Sequence, residues 1–213
     1  MTNESGGAAD SFRRAIAAID AYNARDPNRE TEDGRSEPRE LVYAHRMTAW
    51  LEKLDPQAGE ALRLAVRAQH IGRWESARGD YPEGRAGYLA WRTGLAKHHA
   101  EITGGILTQA GYEAALVARV QSLLRKEKFK SDAEAQRLED VACLVFLEFY
   151  LKDFAPRHDR EKVIGILRKT WRKMSENGRC AALAMAMPDE ARALVDLALA
   201  SDAASPGTPA DDD

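Results

Sequence analysis

Wherever apolar residues of this chain recur in a pattern, they recur every three to four positions, and that period limits its fold more than any other feature. Phe12, Ile16, Ile19 and Tyr22 keep it across 10–24, with Asp10 or Ser11 as a cap; Tyr43, Met47, Trp50, Leu51 and Leu54 keep it in a helix that starts near Pro38. Asp55-Pro56 ends that helix, and Pro56 opens the next, in which Leu62, Val66 and His70 share a stripe. Further helices are predicted from Tyr88 to Gln109, with Gly111 as a stop, from Glu113 to Glu127, and from a Ser131 or Asp132 cap to Asp153. The last of these contains Val141–Leu151, apolar nearly all round, as expected of a central buried helix. A segment over 160–175 and two alanine-rich helices split by Pro188 complete the pattern. Alternation of apolar and polar residues never lasts, so no strand is expected. The sequence predicts an all-α, single helical-bundle domain over 10–200, between a flexible N-terminus (1–9) and a disordered acidic tail (201–213).

At 213 residues the chain is long enough for one domain with a full core. Its 31 basic and 34 acidic residues leave a formal charge of -3, which argues against nucleic acid or an anionic membrane as a partner and requires any anion site to be local. The opening residues carry no apolar signal segment, and Cys143 and Cys180 lack metal-type spacing. A cytoplasmic protein with reduced thiols is expected.

Polar residues placed against apolar stripes mark the candidate site. His70 ends its stripe just before a turn, His99 follows His98 in KHHAEITGGIL, and Asp140 directly precedes the apolar Val141–Leu151 run. A buried carboxylate there has to be paired, protonated or bound to a metal, and a buried histidine is more often a hydrogen-bonded core residue than a ligand. Gly104-Gly105 on the His99 helix allow a close helix approach. The turn after His70, RWESARGDYPEGRAG, interleaves Arg73, Arg78 and Arg85 with Trp74 and Tyr81, a composition suited either to an anionic ligand or to a structural turn in which Glu75 pairs an arginine. Trp91 and Arg92 on the next helix carry the same two readings. His158-Asp159 reads as a surface histidine and a helix cap, and the basic run around Trp171 as a solvated face.

Two resemblances add to this. AQHIGRWE, GYLAWRTGLAKHHAE, EDVACLVFLEFY and KVIGILRKTWRKMS resemble the family known as domain of unknown function 4202, across about Phe12–Leu183. More distantly, ALRLAVRAQHIGRW, the segment beginning HHAEITGGIL, and LEDVACLVFLE resemble the helices of the HD superfamily of metal-dependent phosphohydrolases, with a core of about 40–150. That likeness implies one divalent metal (Mn, Fe, Zn, Co, Ni or Mg) on His70, His99 and Asp140, with no organic cofactor evident. It implies hydrolysis of a nucleotide or other small phosphorylated anion, with Glu75 or Glu101 as general acid/base and Arg73, Trp74, Arg78, Arg85, Trp91 and Arg92 bordering the substrate. The chain departs from the superfamily at Ile71, where its aspartate should stand, and at Tyr43, where its first histidine should stand, with His45 two residues off. The alternative reading is therefore a catalytically inactive helical ligand-binding or regulatory protein that retains an anion pocket.

Overall fold

The computed structural model describes residues 4–32, 34–127 and 131–203. Among the described residues it is an all-α fold of ten helices. The chain divides into two compact units, Met1–Leu138 and Glu139–Asp213. The helical pattern carries no mark at that boundary, because it falls inside one helix.

The first unit opens with α1 (Glu4–Asn23), whose Ala15 and Ile19 are fully buried. The helix starts before the expected Asp10: once a helix has nucleated, adding residues to it costs little, and Ala8-Ala9 propagate it well. The N-terminal stretch read as flexible is thus helical from Glu4, and residues 1–3 lie outside the described ones.

The polar loop of 25–38 holds a two-stranded antiparallel ladder, β1 (Arg29–Glu32) and β2 (Arg35–Pro38), with Thr31 opposite Ser36. No strand was expected there. Neither strand has the apolar alternation that marks a half-buried sheet, yet Asp33-Gly34 between them is a hairpin signal in its own right, and Gly34 takes φ +77°. Asp26, 3% exposed, anchors the segment from below: its carboxylate accepts from the Asn28 and Glu40 amides and so ties the turn to the start of α2 (Arg39–Leu54).

The next helix, α3 (Glu60–Arg67), is shorter than its apolar stripe suggests. Leu62, Leu64, Ala65 and Val66 are buried, but beyond Ala68 the backbone tightens into i→i−3 bonds: Gln69 to Val66, Ile71 to Ala68, Arg73 to His70. This tightening turns His70 off the Leu62–Val66 stripe and leaves it partly exposed. Gly72 follows in the left-handed region at φ +68°; a Cβ there would lie 2.6 Å from Ile102 and 3.1 Å from the His98 ring, so only glycine fits.

Then come α4 (Gly84–Gln109) and α5 (Ala114–Leu124). Between them Gly111, at φ +89°, donates to Thr108 while Tyr112 donates to Leu107, a paired C-terminal cap that bears out the expected stop. Of the two adjacent glycines on α4, Gly104 faces Gln121 of α5, whose amide donates to the Ala100 carbonyl, and Gly105 faces open space.

The predicted 131–153 helix runs as α6 (Ala133–Val145), a π-turn over Phe146–Tyr150, and α7 (Leu151–Phe154). Asp132 caps it as expected, accepting from the Glu134 and Ala135 amides. The second unit continues with α8 (Arg160–Lys173), α9 (Glu176–Ala184) and α10 (Asp189–Ala203). Within the tail expected to be disordered, 201–203 complete α10, and 204–213 lie outside the described residues. Asp159 occupies the N-cap position of α8 without a side-chain cap bond, and His158 packs 4.3 Å from the Phe154 ring centroid. Among the described residues no helix is long and apolar enough to cross a membrane.

Candidate functional site

In the first unit the start of α2, the turn after α3 and the middle of α4 bring Glu40, Tyr43, His70, Arg73 and His99 together. Tyr43 stacks on His70, ring centroids 4.0 Å apart and 9° from parallel. His70 and His99 follow at 6.0 Å.

The hydrogen bonds assign the protons. His99 is 4% exposed, and its Nδ1 donates to the Ile71 carbonyl at 2.6 Å, leaving Nε2 with the lone pair. The side chain at Ile71 is fully buried, so this position contributes its backbone oxygen and no ligand. Arg73 can only donate, so its 3.4 Å contact makes Nε2 of His70 an acceptor. The His70 proton then sits on Nδ1, 3.3 Å from Oε2 of Glu40.

Burial and charge hold these groups away from their usual ionisation. Burial pushes the Glu40 carboxyl up to about 7, against the pull of Arg73 and Arg39 and with a further push from Asp26. Burial also drives His70 well below the usual imidazole range, and Arg73, Arg92, Lys126 and Arg39 drive it further. His99 falls to about 3, by burial first and then by His70 and Arg73. The centre of this cluster is a neutral histidine pair among cations. Arg73 lies 4.0 Å from Glu40 and over the face of Trp91 at 4.9 Å. Neither Arg39 nor Arg92 has a side-chain hydrogen bond or ion pair among the described residues, and both are exposed.

The remaining predicted site residues divide into several groups. Glu75 accepts from Tyr22 at 2.9 Å and meets Nε2 of His98 at 3.0 Å and Arg25 at 3.5 Å. It fastens the turn to α1 and α4, with Trp74 5.9 Å from Tyr22. Arg78 donates to the carbonyls of Tyr81 and Pro82, stitching its own loop. Trp91 donates to the Ser76 carbonyl and so holds the loop against α4. Arg85 and Glu101 are exposed on α4.

Asp140 lies in the second unit, 1% exposed, and accepts from the Ser175 amide at 2.8 Å and the Ser175 hydroxyl at 2.5 Å. That pairing satisfies a buried carboxylate without a metal, and Ser175 in turn caps α9 through the Gly178 amide. Among the described residues no three His, Cys, Asp or Glu side chains are gathered as cation ligands. The ring nitrogen left open to a cation is Nε2 of His99; both nitrogens of His70 already face Glu40 and Arg73.

Glu40 is the member of this cluster that reading the sequence missed. The signal was present: Glu40 is three and seven residues before Tyr43 and Met47, on the buried stripe of α2, where a carboxylate is out of place.

Residues 13–195 match the family described as "Domain of unknown function (DUF4202)", and the chain belongs to it. No curated protein and no solved structure matches the chain.

Proposed function

We propose that this member of the domain of unknown function 4202 family binds a small anion, of phosphate or carboxylate type, in the pocket of Arg73, Arg39 and Arg92. The observation that carries the reading is an imbalance of charge. Three guanidinium groups bear on a neutral histidine pair whose neighbouring carboxyl, Glu40, is itself driven toward its neutral form. One cation partly removed from water, Arg73, beside two exposed ones short of counter-charge, favours an incoming anion. Arg73, held by Trp91 and His70, is the pre-positioned donor, and Arg39 and Arg92 are the exposed ones that close on the ligand.

Thermal unfolding tests this. Millimolar inorganic phosphate or tungstate is expected to raise the melting temperature of the wild type in a saturable manner, and Arg73→Gln to abolish the rise. An equal rise in both proteins would overturn the reading.

A second reading, metal-assisted hydrolysis of a phosphorylated substrate on an HD-like scaffold, is favoured by the neutral state of His70 and His99, since a metal needs deprotonated imidazoles. His99 would offer Nε2, and His70 would exchange its contact with Arg73 for one to the metal. A bound divalent ion would polarise the phosphoryl group and supply hydroxide near neutral pH. Elemental analysis of protein purified without chelator, beside His99→Ala, decides it: stoichiometric metal lost in the variant supports hydrolysis.

A further inference from the structure

Glu40 sits where a ligand of Arg73 would sit, and whenever its carboxyl is ionised the site carries an anion of its own. Its side chain is 9% exposed, with Oε1 4.0 Å from Nε of Arg73 and Oε2 3.3 Å from Nδ1 of His70. The charged and titratable groups around it come from each neighbouring element: Asp26 from the turn after α1, Arg39 and Tyr43 from its own helix, and His70 and Arg73 from the turn after α3. Asp26 is committed elsewhere, to the amides of Asn28 and Glu40. Tyr43 is occupied by its stack on His70. That leaves Glu40 as the acidic group set directly against Arg73.

Resting on the anion-binding reading above, we infer that Glu40 is the resident counter-ion of the pocket, an internal competitor that the ligand must outbid at Arg73, and that it thereby sets which ligand charge the pocket accepts. Its carboxylate, 4.0 Å from Arg73, weakens the attraction for any incoming anion in proportion to that anion's charge, without cancelling the guanidinium groups of the reading above. A doubly charged tetrahedral oxyanion, of the phosphate-monoester kind, gains most from the positive charge that remains. A singly charged anion gains little beyond what Glu40 already supplies. Glu40 is thus a specificity residue acting by repulsion.

Tungstate and perrhenate test the inference, being tetrahedral oxyanions of similar size that carry two charges and one. Binding is measured at pH 8 and low ionic strength, where Glu40 is largely ionised and screening is weak. Wild type is expected to bind tungstate at least about tenfold more tightly than perrhenate, because Coulomb attraction scales with ligand charge. Glu40→Gln removes the competitor while keeping its shape. For the same reason the tungstate gain should be close to the square of the perrhenate gain, about tenfold against about threefold. Glu40→Ala, which removes the charge without leaving an amide, should give the same tungstate gain, so the test does not depend on one variant folding. In an Arg73→Gln background the gain from Glu40→Gln should vanish. Tungstate binding that is unchanged or weaker in both Glu40 variants overturns the inference and leaves the anion pocket standing. No tungstate binding by wild type or by either variant overturns both.

Discussion

The first unit builds two carboxylate–histidine pairs around the same turn, and they behave differently. Glu75 and His98 meet at 3.0 Å with 28% and 32% of their side chains exposed. Glu40 and His70 meet at 3.3 Å with 9% and 22% exposed. The outer pair is reached by water and by two further partners, Tyr22 and Arg25. In the inner pair burial drives the carboxyl toward protonation against the pull of its cations, while burial and those same cations drive the imidazole away from it. His98 and His99 are adjacent on one helix, yet the first fastens a turn and the second lies in the core. The difference shows that side-chain chemistry here follows burial, and that a histidine or carboxylate in the sequence has no role until its solvent access is known.

The comparison is broken most severely by acid. An imidazole whose folded value, about 3, lies below its ordinary 6.5 contributes full stability above the ordinary value, and loses it as the pH falls toward the folded one. Wild type should therefore lose stability steeply between pH 6.5 and 3, with His99 accounting for up to about 5 kcal/mol. In urea titrations across that range, His99→Gln should flatten the slope and His98→Gln should leave it nearly intact. A slope that follows His98 would reverse the assignment of inner and outer pairs.

Glu40 comes next, and its sign is opposite to that of a salt-bridged acid. Its folded value, about 7, lies above the ordinary 4.5, so folding favours its protonated form and the protein loses stability as the pH rises from 4.5 to 7. Glu40→Gln should stabilise the protein at pH 8 by up to about 3 kcal/mol and have little effect at pH 4.5. Glu75→Gln should instead destabilise at pH 8 by about 1 kcal/mol, since it weakens contacts that were already partly solvated. Chemical unfolding at the two pH values separates these outcomes, and destabilisation by Glu40→Gln at pH 8 would mean that the inner carboxylate is held by its cations after all.

Gly72 joins the two regions, because its left-handed turn sends Arg73 inward and Glu75 outward. Gly72→Ala should cost about 2 kcal/mol, from the strained backbone and from the Cβ pressed against Ile102 and His98. It should also weaken anion binding, which a purely local defect would leave alone. The smallest effect is expected at Arg78, whose donors serve its own loop: Arg78→Ala should cost about 1 kcal/mol and leave tungstate affinity within about twofold of wild type.

The helices were legible because their cause is local. A 3.6-residue period, the Asp132 cap and the Gly111 stop each act within a turn or two of backbone, and the structure bears out all three. The misses came where a weak local signal competed with a broader one. Asp33-Gly34 announced a hairpin inside a stretch too polar to resemble a sheet, and the Leu62–Val66 stripe ran on past the point where the backbone tightened. His70, His99, Arg73 and Trp91, all candidates from the sequence, lie near one another. Glu40 was missed because a single glutamate near a helix start reads as a favourable dipole partner, a role it has wherever the helix is solvated.

The sequence alone determined what depends on neighbours along the chain: helix content, the Asp132 cap and the Gly111 stop, the polar turn after His70, and the membership of a family whose match spans 13–195. Only the tertiary structure decided which polar groups lose their water. Desolvation depends on segments far apart in the chain: α1 and α4 fasten Glu75, Ser175 holds Asp140, and α2 carries Glu40 to His70 and Arg73. A period records which face of a helix turns inward. It does not record what waits there, and that decides whether a buried carboxylate is a cap, a clasp or a counter-ion.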